Sequence, residues 1–207
     1  MALTESTHAG EFLLAEANGS ISREEITIAA NSGALAAGTV LGKITLGAGS
    51  AVADEGNTGD GAMGAITVGA TAQAGDYVLT ITEAATDGGA FQLVDPQGDV
   101  VGIGAVGVAF AGGGLSFTLA DGAADFAVGD SITITVAAGA GQYVPYDDTN
   151  TDGSDQAAGV LYAPVADSTA AQQAVGIVRH AEVMGDMLTG NDAAGTVDLA
   201  ELDILVR

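Results

Sequence analysis

The chain has 207 residues, a length that one or two domains can account for, and 48% of them are hydrophobic, with five Phe, four Tyr and no Trp among them. Asp and Glu number 27 against 4 Lys and Arg, a formal charge of −23 that repels a nucleic-acid backbone and an anionic lipid surface alike. No Cys is present, which excludes disulfides and thiolate chemistry.

Residues 1–22 are polar and acidic, with Glu5, Glu11 and Glu16, and lack the basic stretch and apolar run of a signal peptide. They read as an extended arm carrying one apolar cluster, Phe12-Leu13-Leu14. Glu25-Ile26-Thr27-Ile28 then alternates polar and apolar residues as a half-buried strand does, and Asn31-Ser32-Gly33 is a turn. Residues 38–45 form a second strand candidate.

Beyond Leu46 the texture changes. Short strand candidates recur at 65–68, 77–82, 91–94, 100–103, 115–119 and 131–136, separated by turn signals such as Asp87-Gly88-Gly89 and Asp95-Pro96-Gln97-Gly98. This spacing predicts a small β-sandwich or barrel. After Gly141 come Tyr143-Val144-Pro145-Tyr146, an acidic run and Val160-Leu161-Tyr162. Residues 174–179 are a further strand candidate, 180–187 a short helix, and 199–207 an apolar end that returns to a core. The whole reads as mainly β.

Three motifs invite a functional reading. Gly102-Ile103-Gly104-Ala105-Val106-Gly107 fits G-x-G-x-x-G, but a dinucleotide site needs a helix next, and Gly112-Gly113-Gly114 opposes one. The uncharged run 100–120 is long enough to span a bilayer, yet six of its residues are Gly and no Lys or Arg flanks it, so buried strands joined by turns are favoured. Asp148, Asn150, Asp152 and Gly153 match the first half of a calcium loop, although Gly159 stands where a bidentate Glu belongs. A polar turn is the favoured reading there, with weak Ca²⁺ binding as the alternative. His8 and His180 lack partners at motif spacing, and no pair of carboxylates stands out. No catalytic residue or cofactor is assigned.

Three ordered segments are familiar: His8-Ala9-Gly10-Glu11-Phe12-Leu13-Leu14 with Ser22-Arg23-Glu24; Ala37-Gly38-Thr39-Val40-Leu41-Gly42-Lys43-Ile44; and Tyr143-Val144-Pro145-Tyr146-Asp147 followed by Ala158-Gly159-Val160-Leu161-Tyr162. Together they resemble the head decoration protein family of tailed phages, of which the lambda protein is the type. The resemblance covers residues 5–46 and 142–207. It implies a β-clip-like core, assembly as a homotrimer and a place on the outer surface of the virion, at local three-fold positions of the expanded capsid, which such trimers stabilise. The implied partner is the major capsid protein.

On this reading residues 1–22 are the capsid-binding arm, 23–46 with 142–207 the decoration core, and 47–141 an inserted β domain projecting from the shell. The arm would add a strand to the capsid protein through Glu11, Phe12, Leu13 and Leu14, with Phe12 and Leu14 on one face. The alternative is that Phe12 and Leu14 pack on their own core. A detachable arm predicts that removing residues 1–22 leaves a folded trimer. The insert could instead make the protein an adhesin that touches a glycan or host surface, for which Tyr77, Phe91, Phe110, Phe117 and Phe126 are the available aromatics.

Overall fold

The computed structural model describes residues 7–18 and 20–207. In chain order come β1 (Leu13–Glu16), β2 (Arg23–Ile28), β3 (Val40–Lys43), β4 (Leu46–Ala53), β5 (Thr67–Val68), β6 (Gly75–Ala85), β7 (Gly88–Val94) and β8 (Val100–Ala105). There follow β9 (Ala109–Gly112), β10 (Leu115–Thr118), β11 (Ser131–Ala138), β12 (Tyr143–Pro145), β13 (Ala157–Leu161), β14 (Gln172–Ile177), β15 (Ala181–Val183), α1 (Ala193–Glu201) and β16 (Ile204–Val206). The chain divides into two compact units, Met1–Ile44 with Gly141–Arg207, and Thr45–Ala140.

In the first unit, β12, β2, β14, β13 and β3 close into a small barrel, and β1, β15 and β16 form a separate three-stranded sheet. The alternation in β2 sends Ile26 and Ile28 inward to meet Leu41, Tyr143, Leu161 and Val178. A second cluster joins Phe12, Val40, Tyr146, Val160, Ile177, Val183, Leu199 and Ile204. Neighbouring residues of one strand thus serve different clusters: Val40 and Leu41 in β3, Val160 and Leu161 in β13. Strands covered on both faces read as continuous apolar runs, as β13 does. Gly42 lets β3 pass the Ser154 backbone, where a Cβ would collide with the Ser154 carbonyl.

The predicted helix over 180–187 is not formed. Ala181–Val183 is instead the middle strand of its sheet, antiparallel to β1 and parallel to β16, followed by a 3₁₀ turn at Gly185–Met187. Two flanking partners outweigh the modest helix preference of so short a segment. The α-helix lies at Ala193–Glu201 and is capped by Asp192, whose carboxylate accepts from the Gly195 N–H at 2.7 Å.

The second unit is a sandwich of a five-stranded sheet, ordered β4-β11-β6-β7-β8, and a three-stranded sheet, ordered β5-β10-β9. Tyr77, Leu79, Ile81, Phe91, Leu93, Phe110, Leu115, Phe117 and Ile134 share its core. Phe110 lies 5.5 Å from Phe91 and 5.0 Å from Phe117, centroid to centroid. The G-x-G-x-x-G motif belongs to this cluster. A Cβ on Gly102 would lie 2.6 Å from the Phe110 ring, a Cβ on Gly104 would collide with Phe91, and Gly107, at φ +78°, lies in the turn that carries the chain from β8 in one sheet to β9 in the other. Its glycines make room for aromatic rings. The uncharged run 100–120 is accordingly built into β8, β9 and β10, and among the described residues no helix is long and apolar enough to cross a membrane.

The chain leaves and re-enters the first unit through a paired neck. The Ile44 N–H donates to the Gln142 carbonyl at 2.9 Å, and the Gly141 N–H donates to the Ile44 carbonyl at 3.0 Å. These bonds extend the antiparallel pairing of β3 with β12.

Candidate functional site

The N-terminal segment, to which sequence reasoning assigns binding, is built into the first unit. The Glu11 N–H donates to the His8 carbonyl at 3.1 Å and the Leu13 N–H to the Gly10 carbonyl at 3.0 Å, folding residues 8–13 into successive tight turns. The Glu11 carboxylate accepts from the His8 N–H at 2.8 Å, and this backbone bond holds it below the usual carboxylate range.

The turns deliver Phe12 into the core, where it is fully buried, and its carbonyl accepts from the Met184 N–H at 2.8 Å. Leu14 is 51% exposed. On its own unit the segment does not place the two on one strand face: Phe12 precedes β1, and a bulge between Leu13 and Ala15 interrupts the period-two alternation. Phe12 anchors its own fold. Removing residues 1–22 would excise a core aromatic and an edge strand of the β1-β15-β16 sheet.

A second anchor is polar. Arg23 donates through Nε to Glu16 Oε2 at 2.8 Å and through a terminal nitrogen to Glu16 Oε1 at 2.6 Å, a bidentate pair. Its guanidinium also stacks on Tyr162, 4.1 Å from the ring centroid. The pair holds Glu16 below its ordinary range and raises Arg23 further. Gly10, at φ +72°, lies against the same ring, where a Cβ would stand 2.7 Å from it, and its N–H donates to the Tyr162 carbonyl at 3.0 Å. Ser22, fully buried, donates to the His180 carbonyl at 2.8 Å and accepts from the Ala17 N–H at 2.9 Å. Sequence reasoning names Arg23 and Tyr162 but misses this clamp, because 139 positions separate them and no local spacing marks the contact.

What the segment offers outward is Glu11, ahead of β1, with Leu14 and Ala15 in β1, which among the described residues is an edge strand paired with β15. On β16, the far edge of the same sheet, Leu205 is 42% exposed, and Arg207 reaches Glu182 of the middle strand at 3.0 Å. In the register Glu182 stands between Ala15 and Leu205, so the face mixes apolar and charged groups, beside a strand edge that has no ladder partner among the described residues. It can dock a polypeptide, and no nucleophile–base pair stands on it.

Asp148, Asn150 and Asp152 serve turns. Asp152 accepts from the Ser154 N–H at 3.1 Å and from its hydroxyl at 2.6 Å, while the Asn150 amide donates to Ser154 Oγ at 2.9 Å. Three carboxylates whose oxygens lie within 4.8 Å of one another occur elsewhere, at Asp87, Asp121 and Asp125 of the second unit. The five aromatics of that unit, Tyr77, Phe91, Phe110, Phe117 and Phe126, are all buried, so none offers a sugar-stacking face.

A family model described as bacteriophage lambda head decoration protein D matches residues 2–204. No curated protein matches the chain. Solved structures similar to it include FlgL of Xanthomonas campestris, at 20% identity over 56% of this chain and 40% of that one, with a TM-score of 0.35. The flagellar junction protein FlgL of Legionella pneumophila is 14% identical over 51% of this chain and 40% of that one, TM-score 0.36. The flagellar hook junction protein FlgK of Burkholderia pseudomallei is 22% identical over 63% of this chain and 23% of that one, TM-score 0.37. The chain thus spans less than half the length of these flagellar proteins, and likeness at this level carries no functional argument.

Proposed function

This chain belongs to the bacteriophage lambda head decoration protein D family, and from that premise we propose that it binds the outer surface of the expanded capsid as a homotrimer and stabilises the shell. Family membership supports a structural role on the phage head in association with the major capsid protein. The single observation that carries the finer reading is the edge strand β1, with exposed Leu14 and Ala15 on a segment locked from behind by Phe12 and the Arg23–Tyr162 clamp. An edge strand presents unpaired N–H and C=O groups, which a segment of the capsid protein can continue as an added strand. Because the segment is ordered on its own unit, less conformational entropy is lost on docking than a mobile arm would lose.

Charge points the same way. At −23 per copy, binding to a partner cannot rest on bulk attraction unless that partner is basic, so main-chain pairing and apolar contact carry the contact. Three such edges per trimer raise avidity through effective concentration. The test is co-sedimentation with undecorated expanded capsids. Leu14→Glu is expected to weaken binding about tenfold or more while the melting temperature stays within a few degrees, because Leu14 is already half exposed. Unchanged capsid affinity in Leu14→Glu would remove β1 from the interface.

A further inference from the structure

We propose that the carboxylates of Asp87, Asp121 and Asp125 form a Ca²⁺ site in the second unit, which ties the β6–β7 hairpin to the loop between β10 and β11. Asp87 stands in the tight turn of that hairpin, at φ +54°, while Asp121 and Asp125 lie in the loop. Oxygens of the three carboxylates come within 4.8 Å of one another. A Ca²⁺ ion holds its oxygens at about 2.3–2.6 Å, so ligands on opposite sides of it stand roughly 5 Å apart. The spacing matches ligands of a single ion.

A cluster of acids becomes a site here for two reasons. The first is a carboxylate oxygen left without a partner. Asp121 Oδ1 is fully buried, and among the described residues nothing donates a hydrogen bond to it. A buried acceptor in that state loses its hydration without compensation, and the loss is larger when it is charged. Its neighbours are served: Asp125 accepts from the Asp87 N–H at 3.0 Å, Asp60 from the Ala124 N–H at 2.8 Å, and Asp130 from three backbone N–H groups. The second reason lies in the sequence. Residues 45–140 contain eleven Asp and Glu and no Lys, Arg or His, so no side chain of this unit can balance the three carboxylates. The three Arg of the chain are engaged in the first unit, by Glu16, Glu24 and Glu182.

The donor set selects the ion. All three donors are carboxylates, which suit a hard cation, whereas zinc and copper favour imidazole or thiolate. Mg²⁺ demands strict octahedral order at about 2.0–2.1 Å, a poorer match to ligands drawn from two separate loops. Asp87 and Asp125 are exposed, which leaves an entry path and room for water to complete the coordination. The loop is meanwhile held from behind. Phe126 is buried, with Gly59 and Gly61 packed on its ring, and Gly122 presses on Asp60, where a Cβ would stand 2.7 Å from the carbonyl carbon. Ligands set on fixed elements lower the cost of capturing an ion.

Calorimetric titration of Ca²⁺ into the full-length protein in about 0.15 M NaCl tests the site. One Ca²⁺ per chain is expected, with a dissociation constant of about 10⁻⁴–10⁻³ M and binding at least about tenfold tighter than that of Mg²⁺. Asp121→Asn is expected to weaken it at least about tenfold, as is Asp87→Asn, whose turn conformation Asn also adopts. Joint replacement of Asp148 and Asp152 by Asn, in the acidic run of the first unit, is expected to leave it unchanged. Melting curves give a second readout. With chelator present, Asp121→Asn is expected to melt at or above the wild-type temperature, since it removes one of three crowded charges; with saturating Ca²⁺ the order reverses. A lower melting temperature for Asp121→Asn in both buffers would mark a purely structural carboxylate and overturn the proposal. So would the lack of saturable binding, or binding that survives Asp121→Asn. Many weak ions per chain, exchanged equally by Mg²⁺, would be the counter-ion cloud of a −23 surface and would overturn it too.

Discussion

At the scale of single residues, Phe12 decides what the N-terminal segment is. It is fully buried among Val40, Val160, Val183, Leu199 and Ile204, so Phe12→Ala is expected to lower stability by about 3–5 kcal/mol. Chemical denaturation measures that loss, and a change below about 1 kcal/mol would show that the segment is not part of the core. Asp130 has the corresponding polar role in the second unit. Burial raises its pKa, but backbone N–H groups of Thr58, Gly59 and Ala127, at 3.0, 2.9 and 2.9 Å, lower it more, and the net shift is downward. A depressed carboxylate contributes stability that is fully present above its unfolded value of about 3.9 and is lost as pH falls through its lower folded value. Wild type should therefore lose more stability than Asp130→Asn between pH 5 and strongly acidic conditions, and parallel pH profiles of the two melting curves would contradict this role. Asp130 gives no local sign of its importance, because Thr58 and Gly59 reach it from more than 70 positions away.

At the scale of elements, what the sequence discloses depends on whether a strand has one buried face. Ile26 and Ile28 alternate with Glu25 and Thr27, and Tyr77, Leu79 and Ile81 alternate with Val78 and Thr80, so β2 and β6 can be read directly. In contrast, β4 reads Leu46-Gly47-Ala48-Gly49-Ser50-Ala51-Val52-Ala53, whose small residues carry no period; its place comes from pairing with β11. The Ala181–Val183 strand is helix-like in composition and is decided by partners on both sides. Phe12 is legible as apolar, while the tight turns that send it inward and leave Leu14 outside are not. The neck supplies the prediction at this scale. Ile44 and Gln142 are already bonded as a hairpin pair, so replacing residues 45–141 with Asn-Gly closes it with a type I′ turn. The shortened protein is expected to fold cooperatively and to retain capsid binding. Aggregation of the product, or a non-cooperative melt, would mean that the first unit depends on the second.

At the scale of the whole molecule, the charge of −23 argues for binding by shape, main-chain pairing and apolar contact. The motifs that suggest chemistry are accounted for by folding: glycines beside Phe91 and Phe110, and an Asp–Asn run that closes turns. Family membership and an edge strand locked onto its own core support one proposal, a structural protein of the phage head for which β1 is the proposed contact with the shell. Its central claim is decoration of the expanded capsid, and the direct measurement is the occupancy of purified protein mixed with undecorated capsids, before and after expansion, imaged by electron cryomicroscopy. The account predicts saturable trimeric density on the outer surface of expanded shells, with β1 against the major capsid protein. Expanded shells that stay bare at saturating protein would contradict it.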